Sequence, residues 1–144
     1  MLIVPYDDKY KDGVIQVINN FYTEALSEYS SPIDKDVLSK TIEQYKDNTF
    51  LLLIEGKCEG IFAGITTTSP LNSDKVYQEL IWYVNKPHRL NGVYFLRQVE
   101  LILEGQGYKQ LVMAVMANSK MDKITKLYKR MNFKLFEMHF IKTL

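Results

Sequence analysis

The chain has 144 residues, 47% of them apolar and 24% charged, and a net charge of +1. One domain over residues 1–144 suffices at this length, burying about 68–70% of the unfolded surface. The balanced charge gives no reason to expect a nucleic-acid or membrane partner, and no apolar run is long enough to span a bilayer. A single cysteine, Cys58, excludes an intrachain disulfide and a cysteine-based zinc cluster. Two widely separated histidines offer no metal-ligand spacing, and the N-terminus lacks a signal-peptide pattern, so the expected compartment is the cytoplasm.

Residues 1–5 read as a short strand. A helix is expected over 8–26, where Tyr10, Val14, Val17, Ile18, Phe21 and Ala25 recur at helical spacing. Ser30-Ser31-Pro32 breaks it, and Asp34 caps a second helix with Val37, Leu38, Ile42 and Tyr45 on one face. Strands over 49–55 and 58–68 form a hairpin turned at Gly56-Lys57, and a third strand over 76–85 follows a polar loop. A helix carrying Leu96, Val99 and Leu103 ends at Gly105 and Gly107, then come a strand over 111–115, a helix over 122–131 and a last strand over 134–141. The order β-α-α-β-β-β-α-β-α-β predicts an α/β fold with a mixed α+β sheet.

The junction Tyr83-Val84-Asn85-Lys86-Pro87-His88-Arg89-Leu90-Asn91-Gly92-Val93-Tyr94 carries the most chemistry. It joins an apolar strand to an amphipathic helix, and the first N–H groups of a helix have no intrahelical partner and lie at the positive end of its dipole. Anions dock there. Gly92 keeps no side chain between a phosphate and the backbone, and Arg89 has a planar fork suited to phosphate oxygens.

This junction resembles the pyrophosphate loop of the GCN5-related N-acetyltransferases (GNAT), which reads Arg or Gln, two residues, Gly, one residue, then Gly or Ala. Arg89 and Gly92 match, Val84 and Pro87 stand at the family's distance, and Tyr94 departs from the second small position. Leu127-Tyr128-Lys129-Arg130-Met131-Asn132-Phe133 resembles the family's Leu-Tyr-x-x-x-Gly-Phe, with Asn132 in place of glycine. Asn is the commonest substitute for glycine in a left-handed helix cap. The element order is that of the GNAT fold, with a shortened C-terminal end. Trp82-Tyr83-Val84, Pro87 and Arg89 ahead of that end are similar to small acetyltransferases often carried by bacteriophages.

The resemblance implies an acetyl-CoA-dependent N-acyltransferase acting on a small-molecule or protein amine by direct attack. A lysine-like amine must lose a proton at a cost of about 4.6 kcal/mol at pH 7, and the departing thiolate needs a donor. Tyr128 matches the family's acid, although its helical spacing alone reads as core packing. Glu79 stands within a residue of the family's base. Strand alternation groups it with Ile81 and Tyr83, and a bulge would exchange it with Gln78. The resemblance assigns coenzyme A to the backbone of Trp82, Tyr83 and Val84, to Arg89, Leu90, Asn91, Gly92, Val93 and Tyr94, and to Asn118. Glu24, Glu28 and residues 27–34 are candidates for the acceptor side. A homodimer is compatible with this reading. The alternative is a non-catalytic acyl-CoA-binding or protein-interaction module that keeps the fold.

Overall fold

The computed structural model describes residues 1–118 and 120–144. They form two compact units, Met1–Ala114 and Val115–Leu144. The first is built on five strands: β1 (Leu2–Pro5), β2 (Thr49–Ile54), β3 (Lys57–Thr68), β4 (Lys75–Val84) and β5 (Gln110–Val112). They lie side by side in chain order, with β1 to β4 antiparallel and β5 parallel to β4. The sheet is therefore mixed, as the sequence pattern predicts.

Helices cover it on both faces. On one side, Val14 and Val17 of α1 (Lys11–Phe21) and Ile42 of α2 (Lys35–Tyr45) pack with Leu51, Leu53, Cys58, Ile61 and Ala63. On the other, Phe95 of α3 (Gly92–Gly105) meets Phe62, which in turn meets Tyr77 at 5.9 Å between ring centroids. Burial of Cys58 pushes its thiol up to about 11, which makes it a poor nucleophile. The Asp34 carboxylate accepts from the N–H groups of Asp36 and Val37, the cap expected from the sequence. The predicted first helix is a composite. A 3-10 turn at Asp8–Tyr10 leads into α1, and a wider π turn at Tyr22–Leu26 ends it. The hairpin turn falls on Glu55-Gly56 rather than Gly56-Lys57, because both residues adopt the positive φ that a two-residue type I′ turn requires.

Strand β4 contains the decisive irregularity. Ala63 pairs with Ile81 but Gly64 pairs with Glu79, so Leu80 is an extra residue with no partner on β3. The bulge separates residues that simple alternation would group. Tyr83 and Ile81 pack against the α1/α2 core, while Glu79 follows Tyr77 to the Phe62 side. Gly64 makes the tight crossing feasible: a Cβ there would lie 2.4 Å from the Gln78 carbonyl oxygen and 2.4 Å from the Tyr77 ring. Backbone cannot yield as a side-chain tip can. Gly64→Ala is therefore expected to lower stability by ~3 kcal/mol, the upper part of the overpacking range, measurable by chemical denaturation. An unchanged midpoint would show that the crossing relaxes freely.

The second unit holds α4 (Met121–Arg130) and the residues that follow it. Asn132 is left-handed with φ 68°, the N–H of Phe133 donates to the Tyr128 carbonyl, and that of Asn132 donates to Lys129. This is a Schellman cap, completed by the Tyr128 and Phe133 rings 5.3 Å apart. The strand expected over 134–141 does not form; the segment is irregular, and Leu135, Phe136, Met138, Phe140 and Ile141 are exposed. Alternating apolar residues favour a pleated, half-buried surface, but only a ladder partner makes a strand, and among the described residues this segment has none.

Candidate active site

The parallel ladder joins Val76–Gln78 of β4 to Gln110–Val112 of β5 and stops there. Strand β4 continues to Val84, so Glu79 to Val84 have no strand neighbour on that side among the described residues. Strand β5 is shorter than the sequence suggests, ending at Val112 rather than at 115. Release from the ladder frees the N–H of Ala114, which donates to the Glu79 carboxylate at 3.0 Å. The Trp82 N–H donates to the same carboxylate. Glu79 thus sits where the two strands part. Burial pushes its carboxyl up to about 7, against the opposing effect of these two backbone donors.

Beyond β4, a 3-10 turn over Lys86–Asn91 delivers the chain to α3, with Pro87 in its first turn. No side chain caps the start of α3, where Asn91 stands at the capping position. Gly92 has an ordinary helical φ of −59°, and a Cβ on it would meet only Trp82 Cζ2 at 3.6 Å and Val84 Cγ2 at 4.0 Å. Neither backbone strain nor packing requires a glycine here. The neighbours Val93 and Tyr94 form the first helical turn with it; Tyr94 is 45% exposed and Leu90 fully exposed.

Arg89 is engaged within the protein. Its Nη1 and Nη2 donate to the two Glu24 carboxylate oxygens at 2.7 and 2.8 Å, and Tyr83 Oη donates to Glu24 Oε2 at 2.7 Å. The Glu24 carboxylate holds the guanidinium above its ordinary range, and burial with the Glu24 hydrogen bond pushes the Tyr83 phenol up to about 12. Behind the loop, Asn85 Nδ2 donates to Glu59 Oε2 at 2.7 Å, and its Oδ1 accepts from Asn20 Nδ2 at 2.9 Å. Sequence reading missed Asn20, Asn85 and Glu59. Each is an ordinary polar residue far in sequence from its partner, so no local pattern announces the contact.

Tyr128 and Asn118 belong to the second unit. Tyr128 is partly buried, with its ring against Phe133. Asn118 Oδ1 accepts from the Lys120 N–H at 3.0 Å, so its side chain serves the turn that leads into α4. Residues 30–34 of the proposed acceptor region line an open, mainly apolar groove of about 250 Å³ with Ile18, Phe21, Tyr22 and Leu38. Among the described residues no group of three or more His, Cys, Asp or Glu could hold a metal ion, and no helix is long and apolar enough to cross a membrane.

Comparison of the sequence with known families and with characterised proteins finds no match. Comparison of the structure does. A ribosomal-protein-alanine N-acetyltransferase from Brucella melitensis biovar Abortus 2308 superposes with a TM-score of 0.76 at 15% identity, covering 99% of this chain and 98% of that one. This is the GNAT acetyltransferase fold. An aminoglycoside acetyltransferase from an uncultured soil metagenomic sample, solved with trehalose, gives a TM-score of 0.75 at 19% identity over 99% of this chain and 95% of that one. An acetyltransferase from Trypanosoma brucei matches at 0.70 with 10% identity and 99% coverage of both chains. Identities this low establish the acetyltransferase fold and leave the chemistry to the residues of this chain.

Proposed function

We propose that the chain is a coenzyme A-dependent N-acetyltransferase working as one domain, with Glu79 as the base that takes the proton from the acceptor amine and Tyr128 as the donor to the departing sulfur. The observation that carries this reading is the Glu79 carboxylate, raised to about 7, at the point where β4 and β5 separate. A base poised near the working pH is most effective, and an unperturbed carboxylate is too weak for the task.

The residues present fit the cofactor. Along Trp82, Tyr83 and Val84, β4 has no strand neighbour on that side among the described residues, and an extended amide-bearing arm would lie there as an added strand does. Gly92 leaves space that a side chain would fill, at a helix start lacking a side-chain cap; its own N–H donates to the Arg89 carbonyl, and the dipole of α3 favours phosphate there. Leu90, Asn91, Val93 and Tyr94 shape the same turn, and Asn118 remains a candidate contact from the second unit. Bound there, the cofactor supplies an activated acyl thioester. The acceptor is an amine on a small molecule or a protein; related folds include an aminoglycoside acetyltransferase solved with sisomicin, which makes aminoglycosides a sensible first panel.

The test begins with binding. Coenzyme A at a hundredfold excess over its Kd should stabilise the protein by about 2.7 kcal/mol. Gly92→Ala should fold normally, because its methyl meets only ordinary contacts. Gly92→Glu should abolish the stabilisation by placing a carboxylate in the anion site. A full thermal shift in a folded Gly92→Glu protein would remove the loop from the cofactor site.

A further inference from the structure

We propose that Arg89 is a brace rather than a phosphate ligand, and that Glu24 is the positioning residue holding it, so that a polar stripe on the first helix clamps the loop in front of α3. The inference rests on reading that loop as the cofactor site, and it concerns what keeps the loop in place.

The stripe consists of Gln16, Asn20 and Glu24, spaced four residues apart and therefore stacked on one helical face. Gln16 Nε2 donates to Asn20 Oδ1 at 3.2 Å, Asn20 holds Asn85, and Glu24 holds Arg89. Asn85 and Arg89 are also four residues apart, so two rungs connect helix and loop, one at the residue that precedes the 3-10 turn and one within it. Glu59 of β3 makes a third anchor: its carboxylate accepts from the Asn85 side chain and its carbonyl accepts from the Asn85 N–H.

Arg89 commits most of its five N–H donors to this arrangement. Four hydrogen bonds run from its guanidinium, two to Glu24 and two, at 3.4 and 3.3 Å, to the Val84 carbonyl. Its planar group also lies over the Tyr83 ring, 5.4 Å from the centroid, and Tyr83 in turn packs on Phe21. To turn toward a phosphate, Arg89 would have to break a bidentate pair and strand the half-buried Glu24 carboxylate without its counter-charge. Such forks resist exchange because geometry and charge favour the same partner. The phosphate cradle is then left to the backbone around Gly92, which the brace holds in position.

The experiment uses Glu24→Gln, Arg89→Gln and the double variant, with coenzyme A binding measured by calorimetry at low and high ionic strength, and melting temperatures measured without ligand. The brace predicts that each single change weakens coenzyme A about fivefold, that the double variant is no weaker than Arg89→Gln alone, and that the salt dependence of binding survives in every variant. A direct phosphate contact predicts a different pattern. Glu24→Gln would leave binding intact or tighten it by releasing the arginine, while Arg89→Gln would weaken binding and flatten its salt dependence, and that result would overturn the proposal. If wild-type protein binds no coenzyme A, the cofactor reading falls, and the unliganded melts decide the brace alone. Fully additive losses in the two single variants would then reject it.

Discussion

Glu79→Gln is expected to lower kcat/KM at pH 7 by about 10²–10⁴-fold and to change the shape of its pH profile. In the wild type the rate should rise as Glu79 ionises near pH 7 and then level off, since the ionised carboxylate can take the proton from an ammonium acceptor. In the variant only the neutral amine reacts, so the rate should climb toward the amine's own pKa with no break near 7. Thiol release from acetyl-CoA across an amine panel provides the measurement. Superimposable profiles would mean that the proton leaves by another route. A stability signature accompanies the kinetic one. The folded state raises this carboxyl from 4.5 to about 7, so it binds the proton more tightly than the unfolded chain does. The stabilisation is complete below pH 4.5 and is lost as pH rises through 7, and Glu79→Gln should remove that decline.

Tyr128→Phe is expected to cost a similar ~10²–10⁴-fold in turnover while leaving the fold in place. The variant keeps the ring that packs on Phe133 and the carbonyl that closes the Schellman cap. Only the hydroxyl is lost. Coenzyme A affinity should change far less than kcat, because a donor to the leaving sulfur acts most strongly as charge develops there. Wild-type turnover in this variant, with chemistry rate-limiting, would reduce Tyr128 to a packing residue.

The features legible in the sequence were those that one or two neighbouring residues determine. Asp34 caps its helix whatever lies across the molecule, and a residue past a helix end that must turn left-handed is most often Gly or Asn, which made Asn132 readable. The hydrophobic spacing of α1 to α4 belongs to the same class. Register is different in kind, because it depends on the neighbouring strand: nothing within β4 reveals that Leu80 lacks a partner, and the face of Glu79 depended on it. The raised carboxyl of Glu79 depends on burial that only the assembled fold provides, its contact with the Ala114 N–H depends on β5 ending at Val112, and the capture of Arg89 depends on Glu24, 65 residues earlier. The tail over 134–141 misled for the same reason in reverse, since its alternation describes a strand that finds no ladder.

Removing one residue from a strand is ordinarily among the harshest edits a protein can suffer, since every side chain beyond the cut inverts between core and solvent. Leu80 is an exception. Because Glu79 and Ile81 already face adjacent residues of β3, excising Leu80 would join two stretches that are in phase, leaving Tyr77, Glu79, Ile81 and Tyr83 on the faces they now occupy. What such a deletion would remove is the local kink and the reach of the Glu79 carboxylate back to the Trp82 N–H. A shortened chain of 143 residues would therefore separate two properties that point substitutions cannot, the parity of a strand and its curvature, within a single molecule.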